Sequence, residues 1–233
     1  MEEAIKKKVP FKIDIGAIFS FHRHRQVASS LVPVARELVF DIDLTDYDDV
    51  RNCCQGADIC LKCWKFMAIA CKIIDLALRE DFGFQNLLWV FSGRRGIHCW
   101  VCDVSAKILS SQERSAVADY LQLISGSSNC AKKVNLPISD KLHPSIRRAS
   151  NIIRNKFFEV CIEGQNLLEK PESLKKLLSL IWDEKLKNRI SKKINSLTDI
   201  KEKWNAIVQE LTDTSVSLFY FDHYFLNINL QYF

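Results

Sequence analysis

Glu37-Leu-Val-Phe-Asp-Ile-Asp43 is a short run of β-branched and aromatic residues in which two carboxylates stand two positions apart. In an extended chain side chains alternate, so residues i and i+2 share one side at a spacing of roughly 7 Å. A strand here aims Asp41 and Asp43 at one face and anchors Leu38, Phe40 and Ile42 on the other. Two acids so placed repel each other unless cations bridge them, and a pair of divalent ions held by such acids is the usual apparatus for nucleotidyl transfer. The competing account is a solvated strand end running into an acidic loop, Asp46, Asp48 and Asp49, and these residues alone leave both open.

With 233 residues the chain can bury a sizeable core, as one large domain or one domain with an appendage. Nothing resembles the run of about 20 apolar residues that a membrane span requires. The start, Met1 to Lys8, lacks the apolar core of a secretion signal, so the expectation is an intracellular protein with no membrane partner. A formal net charge of +5 is compatible with nucleic acid but does not predict it, because the clustering of positive charge is what matters.

Nine cysteines without an export signal read as thiols and metal ligands rather than a disulfide framework. Cys53 and Cys54 are followed by Cys60 and Cys63, and the last two form a C-x-x-C spacing that lets two thiolates grip one ion tetrahedrally. Structural zinc is the favoured reading. Adjacent ligands are less common than a second C-x-x-C, and buried free thiols at a helix start are the alternative. Cys71, Cys99, Cys102, Cys130 and Cys161 lie among apolar residues and read as core.

Phe66, Met67, Ala70, Ile73, Ile74, Ala77 and Leu78 recur at helical spacing until Gly83, which predicts one amphipathic helix. Leu87–Phe91 and Ile97–Cys102 are β-rich runs joined by a glycine-flanked turn, which predicts a hairpin. Ser110 and Glu113 make a capping box for a helix carrying Val117, Leu121 and Ile124 and ending at Gly126. Residues 127–144 read as a loop-rich connector, and long helices rich in Lys, Leu and Asn follow from about Ile146. The aromatic and asparagine-rich tail from Leu218 to Phe233 reads as a docking strand or, preferably, as an alternative or truncated C-terminus.

The hairpin turn concentrates chemistry. Ser92-Gly-Arg-Arg-Gly-Ile-His98 gathers a hydroxyl, two guanidiniums and an imidazole within one turn. Arginine forks match phosphate oxygens, and flanking glycines let the backbone approach an anion. Alternation puts His98, Trp100 and Cys102 on one face and Ile97, Cys99 and Val101 on the other, so His98 can reach a ligand that the turn grips. A solvated turn tip and a core histidine are the plain alternatives, and the nearby carboxylate strand favours the phosphate reading.

Lys12-Ile-Asp-Ile-Gly-Ala17, the stretch Phe40–Asp49, the four clustered cysteines and Ser92–Asp103 together closely resemble the catalytic small subunit of eukaryotic-type DNA primase. The resemblance is near-continuous from about Lys12 to Arg148. It implies an α/β fold of the α+β kind, a mixed β-sheet flanked by helices with a helical C-terminal segment. Residues 1–145 would form a partial catalytic core with its zinc motif at 53–63, residues 146–212 a helical segment, and residues 213–233 an atypical tail. The family makes short RNA primers on single-stranded DNA from ribonucleoside triphosphates. The resemblance implies that Asp41 and Asp43 bind catalytic Mg2+ or Mn2+, that Ser92, Arg94, Arg95 and His98 hold the nucleotide's phosphates, and that Cys53, Cys54, Cys60 and Cys63 hold zinc. Implied partners are the large primase subunit and the DNA polymerase alpha complex, and the implied location is the nucleus.

The family also implies an N-terminal portion ahead of the Lys12 stretch, and a third metal-binding aspartate, a lysine and a histidine downstream. None has a counterpart before Phe233; Asp222 and His223 stand in a different context. The expectation is therefore a chain truncated at both ends, and the alternative function is a non-catalytic subunit that binds the large subunit or single-stranded nucleic acid. A two-metal nuclease is disfavoured, because the Ser-Gly-Arg-Arg-Gly-x-His turn suits a triphosphate better than a scissile backbone.

Overall fold

A computed structural model describes residues 2–11, 13–20, 33–121, 143–181 and 183–214, and the backbone of 231–232. At its centre lies β3 (Leu38–Asp43), preceded by α1 (Glu2–Lys8) and by β1 (Ile18–Phe19) paired with β2 (Pro33–Ala35). Leu38, Phe40 and Ile42 have no exposed surface, as the alternation predicts, and so fix which face of the strand turns inward. β4 (Leu87–Phe91) and β5 (Gly96–Val101) form the expected hairpin, and β5 lies against β3, with the short β6 (Gln231–Tyr232) on the other side of β3. The order is therefore β4-β5-β3-β6, and every ladder among the described residues is antiparallel.

The register puts Asp41 opposite His98 and Asp43 opposite Gly96. Ile97, Cys99 and Val101 are buried beneath β5, while His98 and Trp100 are half-exposed on the other face. A single amphipathic helix, α2 (Leu61–Glu80), covers the buried side. All seven of its predicted apolar positions from Phe66 to Leu78 are buried, and Tyr47 packs against Phe66 with ring centroids 5.2 Å apart.

Beyond the sheet come α3 (Val104–Lys107) and α4 (Ser111–Leu121). The capping box forms: Ser110 N–H and Oγ–H donate to Glu113 Oε2 at 2.7 and 2.8 Å, and Glu113 N–H donates back to Ser110 Oγ at 3.3 Å. Val117 and Leu121 are buried; Ile124 and Gly126 lie outside the described residues. So do Lys12, Cys130, most of the connector and residues 215–230 of the tail. Pro144 opens a helix rather than closing a loop, because a proline at the first position costs no intrahelical hydrogen bond.

That helix is α5 (Pro144–Phe157). It continues through a wide turn at Phe158–Glu163 to α6 (Pro171–Ser179), α7 (Glu184–Asn195) and α8 (Ile200–Asp213). Asp183 and Asp199 cap α7 and α8, each accepting from two backbone N–H groups. Leu186, Ile190 and Ile194 of α7 and Ile207 and Leu211 of α8 are buried, and they belong to the same apolar cluster as the sheet and α2. Cys99 and Cys161 are core, as expected. Cys71, half-buried, packs against the core cluster. Cys102 is half-buried and stands outside that cluster, a correction to its reading as core: it follows β5 in the alternation that exposes His98 and Trp100.

Candidate active site and cysteine cluster

Two devices aim the β5 hairpin at β3. Gly93 holds φ at +87°, a conformation that L side chains resist, and the turn closes with Ser92 N–H donating to Gly96 O at 2.9 Å. At Gly96 the limit is space: a Cβ there would stand 2.8 Å from the carbonyl oxygen of Ile42. The turn thus lies flush against the end of β3, where Leu44 N–H donates to Arg95 O at 3.2 Å.

Arg95 is brought directly onto Asp43. Its Nε–H lies 2.7 Å from Oδ1 and 2.9 Å from Oδ2. Asp43 also caps the 3-10 turn Leu44–Tyr47, accepting at Oδ1 from Thr45 N–H at 2.8 Å and Thr45 Oγ–H at 2.7 Å. Burial alone would raise the pKa of this carboxyl, but the Arg95 and Thr45 hydrogen bonds outweigh it and hold the pKa below the ordinary value. One strand position across, His98 Nε2 lies 3.4 Å from Asp41 Oδ1. Burial pushes the Asp41 pKa upward, with His98 and Arg95 opposing and the charge on Asp43 reinforcing.

Of the phosphate-holding residues expected from sequence, Arg95 and His98 therefore stand at the carboxylates. Arg94 is exposed in the turn, and Ser92 Oγ accepts from Gly96 N–H at 3.0 Å, so its hydroxyl oxygen shapes the turn. A third acid was not singled out by sequence. Asp46, from the 3-10 turn, is half-buried, and burial together with the charges on Asp43 and Asp41 raises its pKa to about 6. Its only sequence signal was membership of an acidic stretch after β3. Three carboxylates, a guanidinium and an imidazole thus share one side of the sheet end, an arrangement able to hold divalent cations and an oxyanion together.

The four cysteines converge at the start of α2. The sulfurs of Cys53, Cys54, Cys60 and Cys63 all lie within 4.8 Å of one another, and Cys60 and Cys63 are 3.8 Å apart. A tetrahedral centre with metal–sulfur bonds of about 2.3 Å has sulfur–sulfur edges of about 3.8 Å, so the spacing fits. Burial opposes ionisation of Cys60, but N–H groups of Cys63 and Lys62 and the thiols of Cys54 and Cys53 lower its pKa to about 6. Burial, the Cys60 thiol and charge at Cys63 push Cys54 up to about 12. Four thiols this close cannot all ionise without a cation between them, and the group could bind a metal such as zinc.

The sequence profile of the DNA primase small subunit family matches residues 40–215. This chain belongs to the DNA primase small subunit family. DNA primase small subunits from Drosophila melanogaster, Schizosaccharomyces pombe and Saccharomyces cerevisiae are 43%, 38% and 40% identical to it, over 90%, 92% and 89% of its length. The chain covers 49%, 49% and 52% of those proteins, so it spans about half the length of the curated primase subunits it matches. Among the described residues no helix is long and apolar enough to cross a membrane.

Proposed function

We propose that this chain carries the catalytic carboxylates and phosphate-holding cations of a primase small subunit, which makes RNA primers on single-stranded DNA from ribonucleoside triphosphates. The carrying observation is the β3–β5 register, which sets His98 against Asp41 and Arg95 against Asp43 on one side of the sheet. Asp41 and Asp43 would hold divalent ions, Mg2+ or Mn2+. Arg95 and His98 would exchange their carboxylate partners for phosphate oxygens of the nucleotide, with exposed Arg94 adding a further guanidinium and Ser92 fixing the turn. The bound ions would supply activation of the primer 3′-hydroxyl and stabilisation of the pyrophosphate leaving group. Cys53, Cys54, Cys60 and Cys63 would hold a structural zinc. The partners would be the large primase subunit and the DNA polymerase alpha complex, in the nucleus.

The test is primer synthesis on poly-dT with labelled ATP and Mn2+, by this chain alone and with a eukaryotic large subunit. Incorporation that disappears in Asp41→Ala supports the reading. Incorporation undiminished by Asp41→Ala refutes it, and tight nucleotide and template binding without incorporation favours the non-catalytic binding subunit.

A further inference from the structure

Arg51 is a charged residue with a fully buried side chain, next to the cysteine cluster. Its Nε–H donates to Asp48 Oδ1 at 2.5 Å, one terminal nitrogen to Gly56 O at 2.8 Å, and the other to Asp58 O at 2.9 Å. That second nitrogen also stands 3.8 Å from the sulfur of Cys63. The guanidinium is thus spread over one carboxylate, two carbonyls and a thiol. Gly56 and Asp58 lie in the loop between the Cys53–Cys54 pair and Cys60, so the two carbonyl contacts set how that loop folds back. Asp48 Oδ2 accepts from Gly56 N–H at 3.1 Å and closes the same knot from the other side.

Charge gives the arrangement a second consequence. Four thiolates around a divalent ion carry a net negative charge. Cys53, Cys54 and Cys60 are half-buried and Cys63 is buried, so the charge at the Cys63 side is costly unless a positive group stands close by, and groups around the direct ligands tune metal affinity. Arg51 is that group here: its other ionic partner is a single carboxylate, and its second face is turned to Cys63.

We infer that Arg51 is a positioning residue for the four-cysteine centre, folding the 54–60 loop through two carbonyls and offsetting the charge of the metal–thiolate group beside Cys63. This rests on the zinc reading above. Through Asp48 the same guanidinium ties the centre to the turn that follows Asp43, since Asp48 N–H donates to Thr45 O at 3.0 Å and Thr45 is bonded to Asp43.

The test measures Zn2+ affinity of the full chain by chelator competition, and the thiolate-to-cobalt charge-transfer band with Co2+, in wild type, Arg51→Gln and Arg51→Lys. Arg51→Gln is expected to weaken metal affinity about 10- to 100-fold, the range for altered groups around a metal's direct ligands, while keeping the cobalt band at saturation. Arg51→Lys retains charge but loses the fork, and is expected to fall between the two. Ile190→Ala, a core change in α7, should lower the melting temperature and leave metal affinity unchanged; if it weakens affinity as Arg51→Gln does, the effect is general destabilisation and the inference fails. Wild-type affinity in Arg51→Gln overturns the inference. If that variant does not fold, Arg51→Lys decides, and wild-type affinity there overturns it. A wild type without a cobalt band would instead remove the four-cysteine centre itself.

Discussion

Replacing Asp46 by Asn should make the metal-free protein more stable, and only above about pH 4. The wild-type carboxyl has its pKa raised from 3.8 to about 6, first by burial and then by the charges on Asp43 and Asp41. Below 3.8 it is protonated whether the chain is folded or not, so it contributes no penalty. Between 3.8 and about 6 the unfolded chain releases the proton while the folded chain keeps it. The folded state then binds more protons, and stability falls as pH rises. Above about 6 the penalty is complete and flat. Roughly two pKa units at 1.36 kcal/mol each set an upper bound near 3 kcal/mol, and partial solvent screening brings the expectation to about 1–2 kcal/mol.

The assay is urea unfolding of wild type and Asp46→Asn in EDTA at intervals from pH 4 to 8. Comparison with the variant isolates Asp46 from Asp41, whose raised pKa adds to the same slope, and from Asp43, whose lowered pKa opposes it. The two stability curves should meet near pH 4 and separate by pH 7, with Asp46→Asn above. A gap that stays constant from pH 4 to 8, or a wild type more stable than the variant at pH 8, would refute the reasoning.

Arg95→Ala should raise the nucleotide KM roughly tenfold while template binding changes much less, as loss of a charge-assisted phosphate contact implies; steady-state kinetics beside template titration checks this, and equal losses contradict the phosphate role. Gln165→Leu should destabilise by roughly 2–4 kcal/mol in denaturant titration. The side-chain oxygen of this buried glutamine accepts from Asn52 N–H at 2.6 Å and Cys53 N–H at 3.2 Å, and leucine orphans both donors. An effect below about 0.5 kcal/mol, the scale of ordinary surface changes, would show that the loop does not depend on this clamp.

The local rules carried far in this chain because its motifs sit on elements with one buried face. β3 and β5 alternate, α2 repeats its apolar stripe, and Ser110 and Glu113 satisfy one another, and each pattern is set by neighbours a few residues away. What could not be read is what partners what. That Arg95 lands on Asp43 follows from a register between strands separated by α2 and the whole of β4, and no local period encodes it. The clamp from Asn52 to Gln165 and Ser173 joins residues 113 and 121 positions apart. Asp46 looked like a solvated loop acid because its burial depends on a 3-10 turn that tightens only when Thr45 bonds back to Asp43. For Cys102 the signal was available: strand alternation already put it on the His98 face, and the tendency of free cysteines to be buried pointed the other way.

The pairing of acids with bases on the sheet also constrains how a nucleotide could enter. Asp43 has both carboxylate oxygens engaged by Arg95, and one oxygen of Asp41 stands 3.4 Å from His98, so a cation taken up by Asp43 has to displace Arg95. A triphosphate arriving bare would compete with Asp43 for Arg95 and leave that carboxylate unpaired beside Asp41 and Asp46, which mutual repulsion opposes. Divalent ions arriving alone would face Arg95 across a few ångströms. A triphosphate already carrying two divalent ions is close to neutral overall, and under the proposed roles it would let every pair exchange at once: carboxylates to cations, guanidinium and imidazole to phosphate oxygens. Nucleotide and metal should therefore bind with positive coupling, each tightening the other, and calorimetric titrations in which Mn2+ leaves ATP affinity unchanged would contradict this exchange.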